Sequence, residues 1–343
     1  MVSQLSLEPP RAPMSGRRLP PSGSDNRVPM SRTSVNRTAG EQVRTHRLIR
    51  ADAIDLARHV APLKAQLAYL DPPFNVGAVF GARASGGGSR ANGRLAYEDR
   101  WPSIEAYLDW LAPRIAAVRD CLTDDGTMWL HLDHRAVHEA KGVCDRVFGR
   151  TAFLGEVVWL PGNGARGAHR GPPITHQTLL LYRRSGAFVW NARAPVLREP
   201  FAATSLAMHF TRVDSLGRRY RERTIGRRTY RYYADQGRAL GSVWTDCPAM
   251  VANTPLRREA TGYPTQKPLK LLERIVCAST REGALVVDPF CGSGTALVAA
   301  ARLGRSFVGC DLGALAIATS ARRLAENGVR DLMGDCPAGD ALE

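Results

Sequence analysis

The stretch Leu285-Val286-Val287-Asp288-Pro289-Phe290-Cys291-Gly292-Ser293-Gly294-Thr295 decides the fold. An apolar run ends on an acid, two glycines follow, and a helix-compatible segment opens at Thr295, so the stretch is a strand, a glycine turn and a helix start. Glycines let the backbone approach a ligand closely, and the first N–H groups of a helix are free to meet an anion. Leu297 stands where the third glycine of a dinucleotide fingerprint belongs, so that fingerprint fails. Asp288 lies at the carboxyl end of its strand, the edge at which open α/β sheets bind ligands. About twenty residues after the glycines Asp311 ends the next strand, where a carboxylate either accepts from ribose hydroxyls or caps the following helix. A nucleoside without a pyrophosphate fits this combination.

Outward from that stretch the chain alternates. Helices are predicted after Pro268, from Thr295 and over Ala314 to Glu326, with a strand over Ser306 to Cys310. Upstream, Leu67 to Leu70 is a short buried strand, Ile104 to Val118 carries helical spacing, and Thr127 to Leu132 is a strand. A second amphipathic helix runs from Val137 to Phe148, and the strands Leu154 to Leu160 and Thr178 to Tyr182 follow. Residues 191–258 break the rhythm: between Arg212 and Arg238 nine Arg stand against three acids, with Tyr220, Tyr230, Tyr232 and Tyr233 interleaved. The reading is a doubly wound, mostly parallel α/β domain in two halves, 46–190 and 259–330, interrupted by a basic insert at 191–258. Residues 1–45 are poor in large apolar side chains and read as a disordered basic tail; 331–343 form a second tail, and 82–94 a flexible Gly-rich loop.

Composition points to a polyanionic partner. The formal charge of +15 arises from 47 Lys and Arg, nearly all Arg, against 32 Asp and Glu. Arg suits bidentate phosphate and guanine contacts, which favours nucleic acid over acidic lipid. The seven cysteines form no C-x-x-C pair and no ligand cluster with histidine, so no metal site is expected and a reducing cytoplasm is. No apolar run is long enough to span a membrane and no leader is evident, so a cytoplasmic protein without a membrane partner is expected.

A second string, Asp71-Pro72-Pro73-Phe74, also follows a predicted strand. Two prolines fix φ and remove N–H donors, leaving carbonyl oxygens in a rigid arrangement. An exocyclic base amine is a poor nucleophile because its lone pair is delocalised into the ring. If the Asp71 carboxylate and the Pro72 carbonyl accept its two hydrogens, the nitrogen can pyramidalise and attack a methyl sulfonium, with Phe74 stacking on a base taken out of the helix. Alone, the tetrapeptide reads first as a structural Pro-Pro turn with a buried Phe, and only its company turns it into an amine site.

Together with Gly262-Tyr263-Pro264-Thr265-Gln266-Lys267-Pro268, Trp129-Leu130-His131-Leu132-Asp133, Gly155 to Trp159 and Val243 to Asp246, the two strings resemble the bacterial site-specific DNA amino-methyltransferases (N6-adenine/N4-cytosine) in their β-type order. The resemblance runs from about residue 46 to 326. It implies the S-adenosylmethionine-dependent methyltransferase fold and a catalytic tetrapeptide of Asp71, Pro72, Pro73 and Phe74. It implies a cofactor, S-adenosyl-L-methionine, whose methionine part is lined by Asp288, Phe290, Gly292, Gly294 and Thr295, closed over by Thr265, Gln266 and Lys267, with its ribose on Asp311 and its adenine near Asp52. Here Ala51 replaces the glycine usual before Asp52, and Phe74 the common tyrosine. The basic insert corresponds to a target-recognition region for double-stranded DNA in a bacterial cytoplasm or nucleoid, and homodimerisation stays open. Asp rather than Ser at 71 resembles the adenine-N6 group; the alternatives are N4-cytosine methylation, an RNA or protein amine methyltransferase, and a catalytically inactive DNA-binding homologue. C5-cytosine methylation requires a Pro-Cys nucleophile that is absent, since Cys247 and Cys336 precede their prolines.

Overall fold

In the computed structural model the described residues are 44–81, 95–162, 171–250 and 259–334. The proposed N-terminal tail up to residue 43, the Gly-rich loop 82–94 and most of the C-terminal tail lie outside them. A nine-stranded sheet runs, from one edge, through Val243–Trp244, Phe153–Trp159, Gln177–Arg183, Leu122–Leu132, Ala65–Leu70, Leu285–Asp288, Ser306–Asp311, His46–Arg50 and Leu332–Gly334. Only Gln177–Arg183 is antiparallel to its neighbours; every other pairing in this sheet is parallel.

All six residues of Ala65–Leu70 are buried, as a central parallel strand covered on both faces requires. Its side chains alternate between two cores. Leu67 and Tyr69 pack with helices Leu269–Ser279, Thr295–Arg302 and Ala314–Glu326, whereas Ala68 and Leu70 pack with Leu56–Val60, Ile104–Cys121 and Val137–Phe148. The domain is therefore three layers deep. Helix Ile104–Cys121 begins where the Ser103 hydroxyl accepts from the Ala106 N–H. Leu297 is tolerated at the place of the third fingerprint glycine because the neighbouring strand supplies one: a methyl group on Gly309 would lie 2.4 Å from Leu297 Cδ1.

Several elements carry no clear signal in the sequence. The strands His46–Arg50 and Leu332–Gly334 pair with each other at the sheet edge, so the segment read as a C-terminal tail starts with a strand. The hairpin Ala78–Gly81 with Leu95–Asp99 flanks the Gly-rich loop. The insert has a fold of its own, an antiparallel sheet of Arg228–Tyr233, Arg219–Ile225 and Arg212–Val213. Its ends belong to the core: Leu197 is buried there, and Val243–Trp244 joins the main sheet beside Phe153–Trp159.

Candidate active site

Strands Ala65–Leu70 and Leu285–Asp288 are neighbours, with Leu67 opposite Val286 and Ala68 opposite Val287. Parallel pairing places Asp71 and Asp288 side by side at the carboxyl edge although 217 positions separate them in the chain. Both line one cavity of ≈ 1310 Å³. That exceeds the roughly 300–1,000 Å³ of a site for one small ligand, so there is room for a nucleoside and a base together.

The tetrapeptide is held from behind. Asp99, from the hairpin, is buried and accepts from the backbone N–H of Phe74 (3.1 Å) and of Asn75, while Asn75 takes φ +58° and its side-chain oxygen accepts from the Trp101 N–H. Tyr107 donates to the Pro73 carbonyl at 2.8 Å. No described residue donates to the Pro72 carbonyl, which is thus an acceptor to spare beside Asp71. Neither Asp99 nor Tyr107 is marked for this role by any motif, because the contacts cross 25 and 34 positions.

Lys267 lines the same cavity and also reaches the tetrapeptide. Its ammonium donates to both oxygens of Asp71, at 2.7 and 2.6 Å, and lies 5.0 Å from the Phe74 ring centroid. Burial raises the Asp71 carboxyl above its ordinary range, and the Lys267 charge pulls it back part of the way. On the other side the buried His131 stands 4.0 Å from Asp71, packs against Phe74 and Trp159, and shares a 2.8 Å hydrogen bond with the Tyr69 hydroxyl. Burial holds its imidazole neutral.

The other predicted residues except Gly294 also line the cavity, with distinct duties. The Asp311 oxygens accept from the N–H groups of Gly292 (2.9 Å) and Gly313 (2.8 Å), which folds the glycine turn back on the following strand. Gly292 has φ +50°, and a side chain there would meet the Tyr263 ring at 3.3 Å. Asp288 accepts from the Phe290 N–H and is pushed well above the carboxylate range, first by burial and then by Asp71 and Asp311. Phe290 rests on Trp110. Thr295 donates to the Lys267 carbonyl and accepts from the buried Arg323, another partner the sequence did not announce. Gly294 caps the helix that Thr295 opens. Thr265, at φ +56°, bonds to the Tyr97 hydroxyl across the cavity mouth. Gln266 spends its amide inside its own turn, on Thr261 and the Glu259 carbonyl. Asp52 caps its short helix and pairs with Arg114.

A family model described as DNA methylase, of the N6/N4 methyltransferase type, matches residues 65–322. The chain belongs to this DNA methylase family. The type II methyltransferase M.EcaI of Enterobacter cloacae is 28% identical over 322 residues, covering 81% of this chain and 67% of that protein. The DNA adenine methyltransferase YhdJ of Escherichia coli K12 is 26% identical over 286 residues, 83% of this methylase and 84% of the relative. Among solved structures, the M1.HpyAVI–SAM complex superposes with a TM-score of 0.50 at 19% identity, covering 81% of the methylase and 98% of that chain. The fold is thus that of the DNA methyltransferases, with the tetrapeptide ahead of the glycine turn in the chain but next to it in the sheet. Among the described residues of the methylase no helix is long and apolar enough to cross a membrane.

Proposed function

We propose that this methylase transfers the methyl group of S-adenosylmethionine to the N6 amine of adenine in double-stranded DNA. The observation that carries the reading is the Asp71 carboxylate, gripped by Lys267 on the cavity floor with the free Pro72 carbonyl and the Phe74 ring beside it. The family's donor supplies a methyl group on a cationic sulfonium, already activated for nucleophilic attack. The residues suit such a ligand: Asp71, Asp288 and Asp311 share a buried cavity in which Lys267 is the cation bonded to Asp71, so a sulfonium and an ammonium would relieve an excess of negative charge. Asp288, with Phe290, Gly292, Gly294 and Thr295, would hold the methionine part, closed over by Thr265 and the loop that Gln266 braces. Asp311 and Asp52 would face the ribose and adenine. Asp311 has one N–H on each oxygen, and a carboxylate oxygen can accept more than one hydrogen bond.

Asp71 and the Pro72 carbonyl accept the two hydrogens of the base amine, which localises its lone pair, and Phe74 stacks on the ring. Once the nitrogen has bonded to carbon it must lose a proton, and Asp71, raised by burial, is placed to take it. An aspartate carboxylate, rather than a serine hydroxyl, and the likeness to an adenine methyltransferase support adenine.

Activity requires Asp71 ionised, so the rate falls as pH drops through a value above the ordinary carboxylate range. Lys267→Met removes the cation that lowers this value. The acid limb of kcat/KM should then move to higher pH, each unit of that movement lowering the rate on the limb about tenfold; a pH–rate profile identical to wild type would remove Lys267 from the account. The functional reading itself is tested by sequencing DNA from cells that express the chain, with detection of modified bases. N6-methyladenine at one recurrent site is expected, and N4-methylcytosine at such a site would transfer the mechanism to cytosine.

A further inference from the structure

Behind the catalytic aspartate two buried polar atoms lack a partner in the hydrogen-bond network: Nε2 of His131 and Oε1 of Gln177. They belong to adjacent sheet strands and face one another. The opposite edge of the imidazole settles how they are protonated. Nδ1 of His131 lies 2.8 Å from the Tyr69 hydroxyl, which has no other acceptor among the described residues. A buried hydroxyl keeps its proton in a hydrogen bond, so Tyr69 donates to Nδ1, and the proton of the neutral ring sits on Nε2. That N–H needs an acceptor, and the sealed Gln177 oxygen is in place. With its oxygen turned to His131, Gln177 presents its amide NH₂ to the cavity, which it lines together with Asp71, Phe74 and Trp159. Trp159, opposite Gln177 in the strand pair, packs edge-on against His131 at 5.4 Å and restricts this arrangement.

We propose that Gln177 reads the target base by donating an amide N–H to the ring nitrogen adjacent to the methylated amine, N1 of adenine, and that His131 with Tyr69 is the positioning pair that fixes the amide. This rests on the functional reading above. An amine bound at Asp71 brings the neighbouring ring nitrogen with it along the same edge of the base, and that nitrogen is an acceptor in need of a donor. The arrangement selects against bases protonated at that position, guanine among them, and complements the acceptors Asp71 and Pro72 with a donor.

Single-turnover methylation is measured on duplexes whose target adenine is intact or replaced by 1-deazaadenine, using wild type, Gln177→Leu and Gln177→Glu. Wild type should lose about tenfold on the deaza base, the size of one hydrogen bond whose partner is left unpaired. Gln177→Leu should be slower on adenine and change less than threefold on removal of N1. Gln177→Glu, close in shape but carrying oxygens that repel N1, should improve or stay level on the deaza base. An equal deaza penalty in all three proteins overturns the proposal. Should Gln177→Leu fail to fold, judged by thermal unfolding, the glutamate variant decides the matter alone. If wild type methylates no adenine, the functional reading has failed; if it methylates adenine and the penalties are equal, only this inference has.

Discussion

Replacing Asp71 by alanine should lower the rate of methyl transfer by about 10²–10³-fold and leave donor binding within a few-fold of wild type. The carboxylate is an acceptor built for an amine that becomes a better donor as its nitrogen bonds to the methyl carbon and gains positive charge, so the loss falls on the transition state. The fold should tolerate the change, because the tetrapeptide backbone is held independently by Asp99 and Tyr107. Removing Asp71 leaves the Lys267 ammonium without its anion at the cavity floor, which would disfavour a cationic donor, so a modest weakening of binding is expected. Asp71→Asn keeps one acceptor oxygen and should retain more activity than alanine. Single-turnover transfer from labelled donor and calorimetric titration of the donor separate the two quantities; an alanine variant with near-wild-type transfer would remove Asp71 from the mechanism.

A comparably large effect is expected on raising the salt. The arginines of the insert are not equal. Arg212, Arg218, Arg231 and Arg238 are engaged with Glu222, Asp235 and Glu199, Arg219 binds backbone carbonyls, and Arg221 lies over the rings of Phe201, Phe210 and Tyr232. Arg223, Arg227 and Arg228 cluster at the exposed end of the hairpin Arg219–Ile225 with Arg228–Tyr233 and have no acidic partner among the described residues. If each neutralises one DNA phosphate, these three alone weaken binding by about 40-fold between 50 and 200 mM salt, and replacing all three by alanine should reduce the salt slope by about 3. Fluorescence anisotropy on a labelled duplex measures both slopes; an unchanged slope in the triple variant would place the DNA elsewhere.

Local signals in the sequence sufficed for the elements that carry the two acids. The glycine turn after Asp288 and the proline pair after Asp71 are contiguous, and apolar periodicity marks the strands and helices around them. What stayed hidden was of another kind. The strand His46–Arg50 is short and basic at both ends, and its partners are 261 positions or more downstream, so no local pattern betrays it. Lys267 was legible as part of a loop over the ligand, but its aim at Asp71 spans 196 positions and follows from packing alone. Asp99 and Gln177 lie outside every string that marked the site, and His131 stands inside Trp129 to Asp133 with no local sign of its bond to Tyr69, 62 positions away. The charge of the insert was plain from composition, whereas which of its arginines pair with acids among the described residues follows only from the fold.

The central claim is amine methylation of adenine at Asp71. Its most direct test is incubation of the purified protein and duplex DNA with methyl-labelled S-adenosylmethionine, followed by digestion to nucleosides and mass spectrometry. The account predicts label in N6-methyldeoxyadenosine with wild type and its near-disappearance with Asp71→Ala. Label confined to N4-methyldeoxycytidine, or no transfer from a protein that binds both donor and DNA, would contradict it.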